Sequence, residues 1–173
     1  MEKLSAPFPY RRVAVIGCPG GGKSTFSRAL RDKTGLPLYH LDAIYWKDDR
    51  TTIPKEEFRA IQRELIGRDE WIIDGNYGST VAWRIEACDI VFFLDYPTEV
   101  CLSGVRARRG QARSDMPWVE EGDDAEFLDF IRAFETESKP KILQLLAMHP
   151  EKAVVTFRTR EEAAEFLASM DES

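Results

Sequence analysis

Histidine and cysteine are scarce in this chain, at two and three residues among 173. The cysteines, Cys18, Cys88 and Cys101, are odd in number and have no paired metal-ligand spacing, so neither a zinc site nor a disulfide framework is expected. Reduced thiols are the simplest reading. Cys88 and Cys101 lie beside or within apolar stretches and read as core, and Cys18 is expected to point away from the loop that contains it. No apolar run approaches the ~20 residues needed to span a bilayer. The opening MEKLSAPFPYRR has no apolar h-region, so no signal peptide is expected. A basic excess is missing too: the net charge is −6 and the pI about 5.1, which argues against direct nucleic-acid binding. Internal repeats and low-complexity linkers are absent. The remaining class is a cytoplasmic globular chain of one domain, residues 1–173, whose 43% hydrophobic content suits a real core. It is expected as a monomer or weak dimer.

What is present begins at residues 13–25, VAVIGCPGGGKST. Gly17, four residues, Gly22, Lys23 and Ser24 match the phosphate-cradling pattern G-x-x-x-x-G-K-[ST]. At ordinary residue frequencies such a match arises by chance about 0.006 times in a chain of this length. Each part has a mechanical reason. Gly20, Gly21 and Gly22 let successive N–H groups turn toward one anion. The helix beginning near Lys23 aims its positive end at the same point. Lys23 reaches the β- and γ-phosphates, Ser24 places a hydroxyl on Mg²⁺, and Thr25 follows in the first turn. ATP and Mg²⁺ are the expected cofactors; GTP is disfavoured because no N-K-x-D base-reading motif occurs.

Five short β-like runs, 13–16, 36–39, 71–74, 90–94 and 154–157, are mostly continuous apolar segments, as in strands buried on both faces. Helical patterns separate them: 23–33 with a Gly35 and Pro37 stop, one from about 54, then 98–109, 126–134 and 141–148. A last helix opens on Thr159 and Glu162 in capping-box register. Strand–helix alternation implies an α/β fold with a parallel sheet, right-handed crossovers and helices on both faces. Ligands then collect at the carboxyl ends of the strands.

The polar residues at those ends carry the chemistry. Asp74 and Asp95 each close a strand that can flank the first, and either can hold Mg²⁺; Gly75 tips the choice toward Asp74, because bare backbone there leaves room for a substrate. Asp42, closing the second strand, can accept a proton from a substrate hydroxyl or hydrogen-bond a sugar or base, with Tyr45 and Trp46 as an aromatic wall. His40 reads as a satisfied core or rim residue. Arg84, inside the otherwise apolar VAWRIEACDIV, needs an anion partner or a solvent edge. Arg106, Arg108, Arg109 and Arg113 fall where a mobile cover over the phosphates is expected, and planar guanidinium forks suit a transferring phosphoryl group.

These motifs together, GCPGGGKST, HLDAIYW, WIIDGNYG, ACDIVFFLDYP, RARRG, RSDM and VVTFRTREEAAEFL, resemble the adenylate-kinase-like P-loop proteins, and most closely the bacterial branch labelled "DNA topology modulation protein". The resemblance spans nearly the whole chain. It implies a three-layer α/β nucleotide-kinase-like fold, with a five-stranded parallel sheet in the order 2-3-1-4-5. It also implies a substrate region at about 40–70 and an arginine-bearing lid at about 106–137. It assigns the metal role to Asp74 with Ser24, phosphate contact to Lys23, and lid roles to Arg108 and to Arg113 with Asp115. Arg109 and Arg160 join Gly17 and the loop glycines around ATP. Asn76 and Tyr77 join Asp42, Tyr45, Trp46 and Arg84 around the acceptor. Two departures stand out. Gly104 replaces the arginine that stacks on adenine, so base recognition leans on the 157–160 loop or is loose. The pattern around a nucleoside monophosphate is also missing, which counts against AMP. The expected activity is transfer of the ATP γ-phosphoryl to a small acceptor: a nucleoside, a nucleotide or another hydroxyl-bearing metabolite. The alternative is a nucleotide-gated regulatory ATPase linked to DNA topology or a protein partner.

Overall fold

The computed structural model describes residues 8–18, 20, 22–108 and 125–170, without the side chains of 108 and 125–127. Five strands, β1 (Arg12–Gly17), β2 (Leu38–His40), β3 (Trp71–Asp74), β4 (Ile90–Leu94) and β5 (Ala153–Phe157), form one parallel sheet. Their order is β2-β3-β1-β4-β5, as expected. Residues 13–16, 71–73 and 90–93 of the three inner strands have 0% exposure, because helices cover both faces. β2 begins at Leu38 rather than Leu36: Pro37 has no N–H to give a ladder, and its carbonyl accepts from the Ile72 amide at 2.7 Å.

The helices are α1 (Lys23–Thr34), α2 (Leu41–Tyr45), α3 (Lys55–Ile66), α4 (Val81–Ala87), α5 (Thr98–Arg108), α6 (Ala125–Ala133), α7 (Lys139–Ala147) and α8 (Arg160–Met170). Two of them, α2 and α4, are unannounced by periodicity because five and seven residues make too few turns to show a stripe. The expected separation near 135–140 is absent: a π-turn at Phe134–Ser138 carries α6 into α7. Pro140 has no N–H for the preceding turn, and the backbone widens just before it.

Aromatic packing ties α1 and α8 to the sheet. Phe26 of α1 lies 5.1 Å from Phe92 and 5.4 Å from Phe157, and Phe166 of α8 lies 5.2 Å from Phe92. Each buried ring contributes roughly 1.5–3 kcal/mol. The α8 capping box forms as read, with Glu162 N donating to Thr159 Oγ1 and Thr159 N to Glu162 Oε1, both at 3.1 Å.

Register brings the strand ends together. Val15 sits beside Asp74, His40 beside Asp74, and Gly17 beside Leu94, which in turn pairs with Phe157. From β1 the chain leaves toward β2, and from β3 it crosses to β4 on the other side. The switch point therefore lies at the end of β1.

Candidate active site

The loop after β1 occupies that switch point. Gly22 caps α1 in the left-handed region at φ 91°, a conformation that a Cβ disfavours. Lys23 folds back across the loop, its Nζ donating to Gly17 O at 3.1 Å and Cys18 O at 3.5 Å. Ser24 is buried one residue into the helix, whereas Thr25 is exposed, within 3.4 Å of Arg28. Arg160, at the start of α8, donates from Nη2 to Gly20 O at 3.1 Å and lies 5.8 Å from the Tyr96 ring centroid. Gly17, Gly20, Gly22, Lys23 and Arg160 thus converge on one loop. Gly21 lies outside the described residues, as do Arg109, Arg113, Asp115 and the Arg108 side chain.

All three cysteines are buried free thiols. The Cys101 thiol beside it, together with burial, holds Cys18 well above the ordinary cysteine range, so it stays protonated.

The two strand-end aspartates part company. Asp74 is buried beside β1, with His40 Nδ1 2.7 Å from its Oδ2. Asp95 is equally buried but is held by Lys139 at 3.0 Å and Arg158 at 3.2 Å. Asp95 is thus engaged by two cations of its own chain.

Next to Asp74, the 75–77 segment joins the loop after β1 to Asp42. The Asn76 side chain accepts from Gly17 N at 3.0 Å and donates back to Gly17 O. Asn76, expected around the acceptor, is therefore spent on the phosphate loop. Tyr77 adopts φ 38°, unusual for a residue with a side chain, and its hydroxyl donates to Asp42. Burial, then the Asp42 charge, pushes the Tyr77 hydroxyl far above its usual range and keeps it a donor. The Tyr45 ring lies 4.6 Å from Phe58, 5.5 Å from Tyr77 and 5.8 Å from Trp46. Asp42, Tyr45, Trp46 and Tyr77 are thus one cluster.

Arg84 corrects an expectation. It has no solvent edge, being 1% exposed, and among the described residues it donates to neutral oxygens and not to an anion. Nη1 reaches Gln62 Oε1 at 2.9 Å and Thr80 Oγ1 at 3.1 Å, and Nη2 reaches Gly75 O at 3.0 Å and Asn76 O. The turn after β3 leaves two inward carbonyls needing donors, and one planar fork serves both. Burial lowers the Arg84 pKa to about 10. Arg84 braces the 75–76 turn from inside the core and lines no open surface. Gln62, Thr80 and Lys139 lie in no motif of the sequence, and Arg158 falls within VVTFRTREEAAEFL without a role read for it.

No family model matches the chain, and no curated protein matches it. Solved structures do. A shikimate kinase from Bacteroides thetaiotaomicron is similar over 94% of this chain and 97% of its own, at 17% identity and a TM-score of 0.55. A shikimate kinase from Acinetobacter baumannii, in complex with shikimate, is similar over 95% and 94%, at 16% identity and 0.60. A sugar kinase from Janibacter, unliganded, is similar over 92% and 91%, at 20% identity and 0.53. The likeness is one of fold, that of P-loop kinases. Among the described residues no helix is long and apolar enough to cross a membrane.

Proposed function

We propose that the chain is a Mg²⁺- and ATP-dependent phosphotransferase moving the γ-phosphoryl of ATP onto a small hydroxyl-bearing acceptor. The observation that carries this reading is the convergence of Gly17, Gly22, Lys23 and Arg160 on the β1 switch point with Asp74 alongside. Lys23 already holds its ammonium over the loop by borrowing loop carbonyls, and exchanges them for the β- and γ-phosphates. Ser24 and Asp74 supply hard oxygen donors. No cluster of three or more His, Cys, Asp or Glu exists among the described residues, which fits an ion held by one carboxylate, a hydroxyl and phosphate oxygens. An Mg²⁺ ion held there by Ser24 and Asp74 would neutralise charge developing on the transferred group.

In this reading Asp42 accepts the proton of the acceptor hydroxyl, and the bond from the Tyr77 hydroxyl orients it. Arg108, Arg109 and Arg113 complete the reading as clamps on the phosphoryl group from a lid at 106–137, opposite an acceptor region at 40–70. The finer placement, in the topology modulation branch, rests on the motifs alone, and with it a cytoplasmic monomer or weak dimer. Calorimetry with Mg²⁺-ATP on wild type and Lys23→Ala, alongside label transfer from γ-labelled ATP, tests the assignment. Binding that is unaffected by the substitution would overturn it.

A further inference from the structure

Where β2 ends, the 40–42 segment grips the 74–77 segment residue by residue. His40 stands beside Asp74 in the parallel register of β2 and β3, and its Nδ1 lies 2.7 Å from Asp74 Oδ2. Leu41 is buried and packs so close to the following turn that a Cβ on Gly75 would stand 3.0 Å from the Leu41 Cβ. Asp42 accepts from the Tyr77 hydroxyl. The backbone at His40 is therefore held by the strand ladder on one side and a core leucine on the other, which fixes where its ring can reach.

Burial makes the His40–Asp74 contact demanding. Side-chain exposure is 10% for His40 and 7% for Asp74. A carboxylate taken that far out of water loses hydration that hydrogen bonds and counter-charges must replace. At Asp95 the replacement comes from Lys139 and Arg158. Asp74 differs: among the described residues an imidazole stands where Asp95 has a lysine and an arginine. An ionised carboxylate only accepts, so the ring nitrogen facing it carries the proton and donates. Holding Oδ2 fixes the plane of the carboxylate, and with it the direction of Oδ1.

Partners of this kind tune metal sites. A donor behind a ligating carboxylate orients it, and removing such a donor commonly costs about 10–100-fold in metal affinity. Resting on the phosphotransferase reading, we propose that His40 is a positioning residue for the Mg²⁺ site, its Nδ1–H pinning Asp74 Oδ2 in advance of Mg²⁺-ATP. The freedom of the Asp74 side chain is then lost when the chain folds and not when the nucleotide binds.

Substitutions at His40 separate the N–H from the ring. His40→Asn keeps an N–H at the same reach along the side chain and removes the ring, whereas His40→Phe keeps the ring and removes the N–H. Calorimetry of ATP binding to the full chain, with and without Mg²⁺, gives the factor by which the metal tightens ATP. His40→Phe is expected to lower that factor about tenfold or more, with the Mg²⁺-free Kd for ATP within about twofold of wild type. His40→Ala, lacking both ring and N–H, is expected to behave as His40→Phe and stands in for it if that protein does not fold. His40→Asn is expected to keep the factor within about threefold of wild type. An undiminished factor in the variants without the N–H, a loss in His40→Asn, or an equal weakening with and without Mg²⁺ overturns this inference and leaves the kinase reading standing. A wild-type chain whose ATP affinity is indifferent to Mg²⁺ overturns both.

Discussion

The side-chain amide of Asn76 pairs with both backbone groups of Gly17, its oxygen taking the Gly17 N–H at 3.0 Å and its nitrogen donating to the Gly17 carbonyl. That carbonyl also receives Lys23 Nζ at 3.1 Å, and the Asn76 carbonyl is held from below by Arg84. Hydrogen bonds therefore run without a gap from Gln62 and Thr80, through Arg84 and the 75–76 turn, to the lysine of the phosphate loop. Geometry at the end of β1 depends on a residue at the end of β3.

Asn76→Ala should accordingly act on the loop as well as on the fold. Removing the amide leaves two partly buried backbone groups to find other partners, at about 1–2 kcal/mol. The expected outcome is an ATP Kd raised about tenfold, since 1.4 kcal/mol is a factor of ten. Tm should fall by about 2–8 °C. Calorimetry and thermal denaturation read the two together. A lower Tm with unchanged ATP affinity would make the clasp purely structural.

Lys23→Ala should raise the ATP Kd well beyond tenfold and also lower Tm, because two of the ammonium's partners in the free protein are the partly buried carbonyls of Gly17 and Cys18. Lys23→Arg should not restore binding, since a planar fork does not replace a compact point charge at this position. ATP titration of both variants checks this, and recovery by arginine would mean charge alone is needed.

How far the residues announced these relationships depends on whether they are local. Gly17 to Ser24 were legible because an anion cradle dictates residue types at fixed spacing. The Thr159–Glu162 cap was legible because its two hydrogen bonds close within four residues. The inner strands showed because burial on both faces leaves unbroken apolar runs. Arg84 was misjudged because its partners come from α3, from Thr80 at the start of α4 and from the turn after β3, and only packing brings these together. The His40–Asp74 contact likewise depends on the register of β2 against β3, which three residues of β2 do not specify.

The two strand-end aspartates make separable predictions. Asp74→Asn should abolish the Mg²⁺-dependent part of ATP binding, read by calorimetry with and without Mg²⁺. Asp95→Asn should leave ATP binding alone and cost stability, about 1–2 kcal/mol, because Lys139 keeps Glu135 as a second partner at 3.0 Å. Asp95, more than Glu135, raises the Lys139 pKa above 10.5. A raised pKa on a base stabilises the fold fully below pH 10.5, and the contribution fades as pH climbs past the raised value. The Tm gap between wild type and Asp95→Asn should therefore be constant through neutral pH and narrow in strong alkali. If Asp95→Asn lost the Mg²⁺ dependence instead, the metal role would belong there.

Gly104 yields the sharpest expectation, because helix propensity and packing point in opposite directions. It lies inside α5, where alanine is ordinarily favoured over glycine by about 1 kcal/mol. Yet a Cβ at this position would stand 2.1 Å from Gly20 O and 2.8 Å from Arg160 Nη2. The bare face of α5 is what lets the phosphate loop lie against the helix, and it leaves room for Arg160 to reach Gly20 O from α8. No larger side chain fits at 104 in this arrangement, and the guanidinium on this side of the loop comes from Arg160. Gly104→Ala should thus reverse the usual gain: the clash is with backbone, which cannot swing aside, at about 1–3 kcal/mol. The expected result is a lower Tm and at least a tenfold weaker ATP Kd. Adding Arg160→Ala removes the 2.8 Å contact but leaves the 2.1 Å one, so the double variant should recover neither property. A Gly104→Ala protein that gains stability and binds ATP normally would mean that α5 and the loop stand farther apart than this.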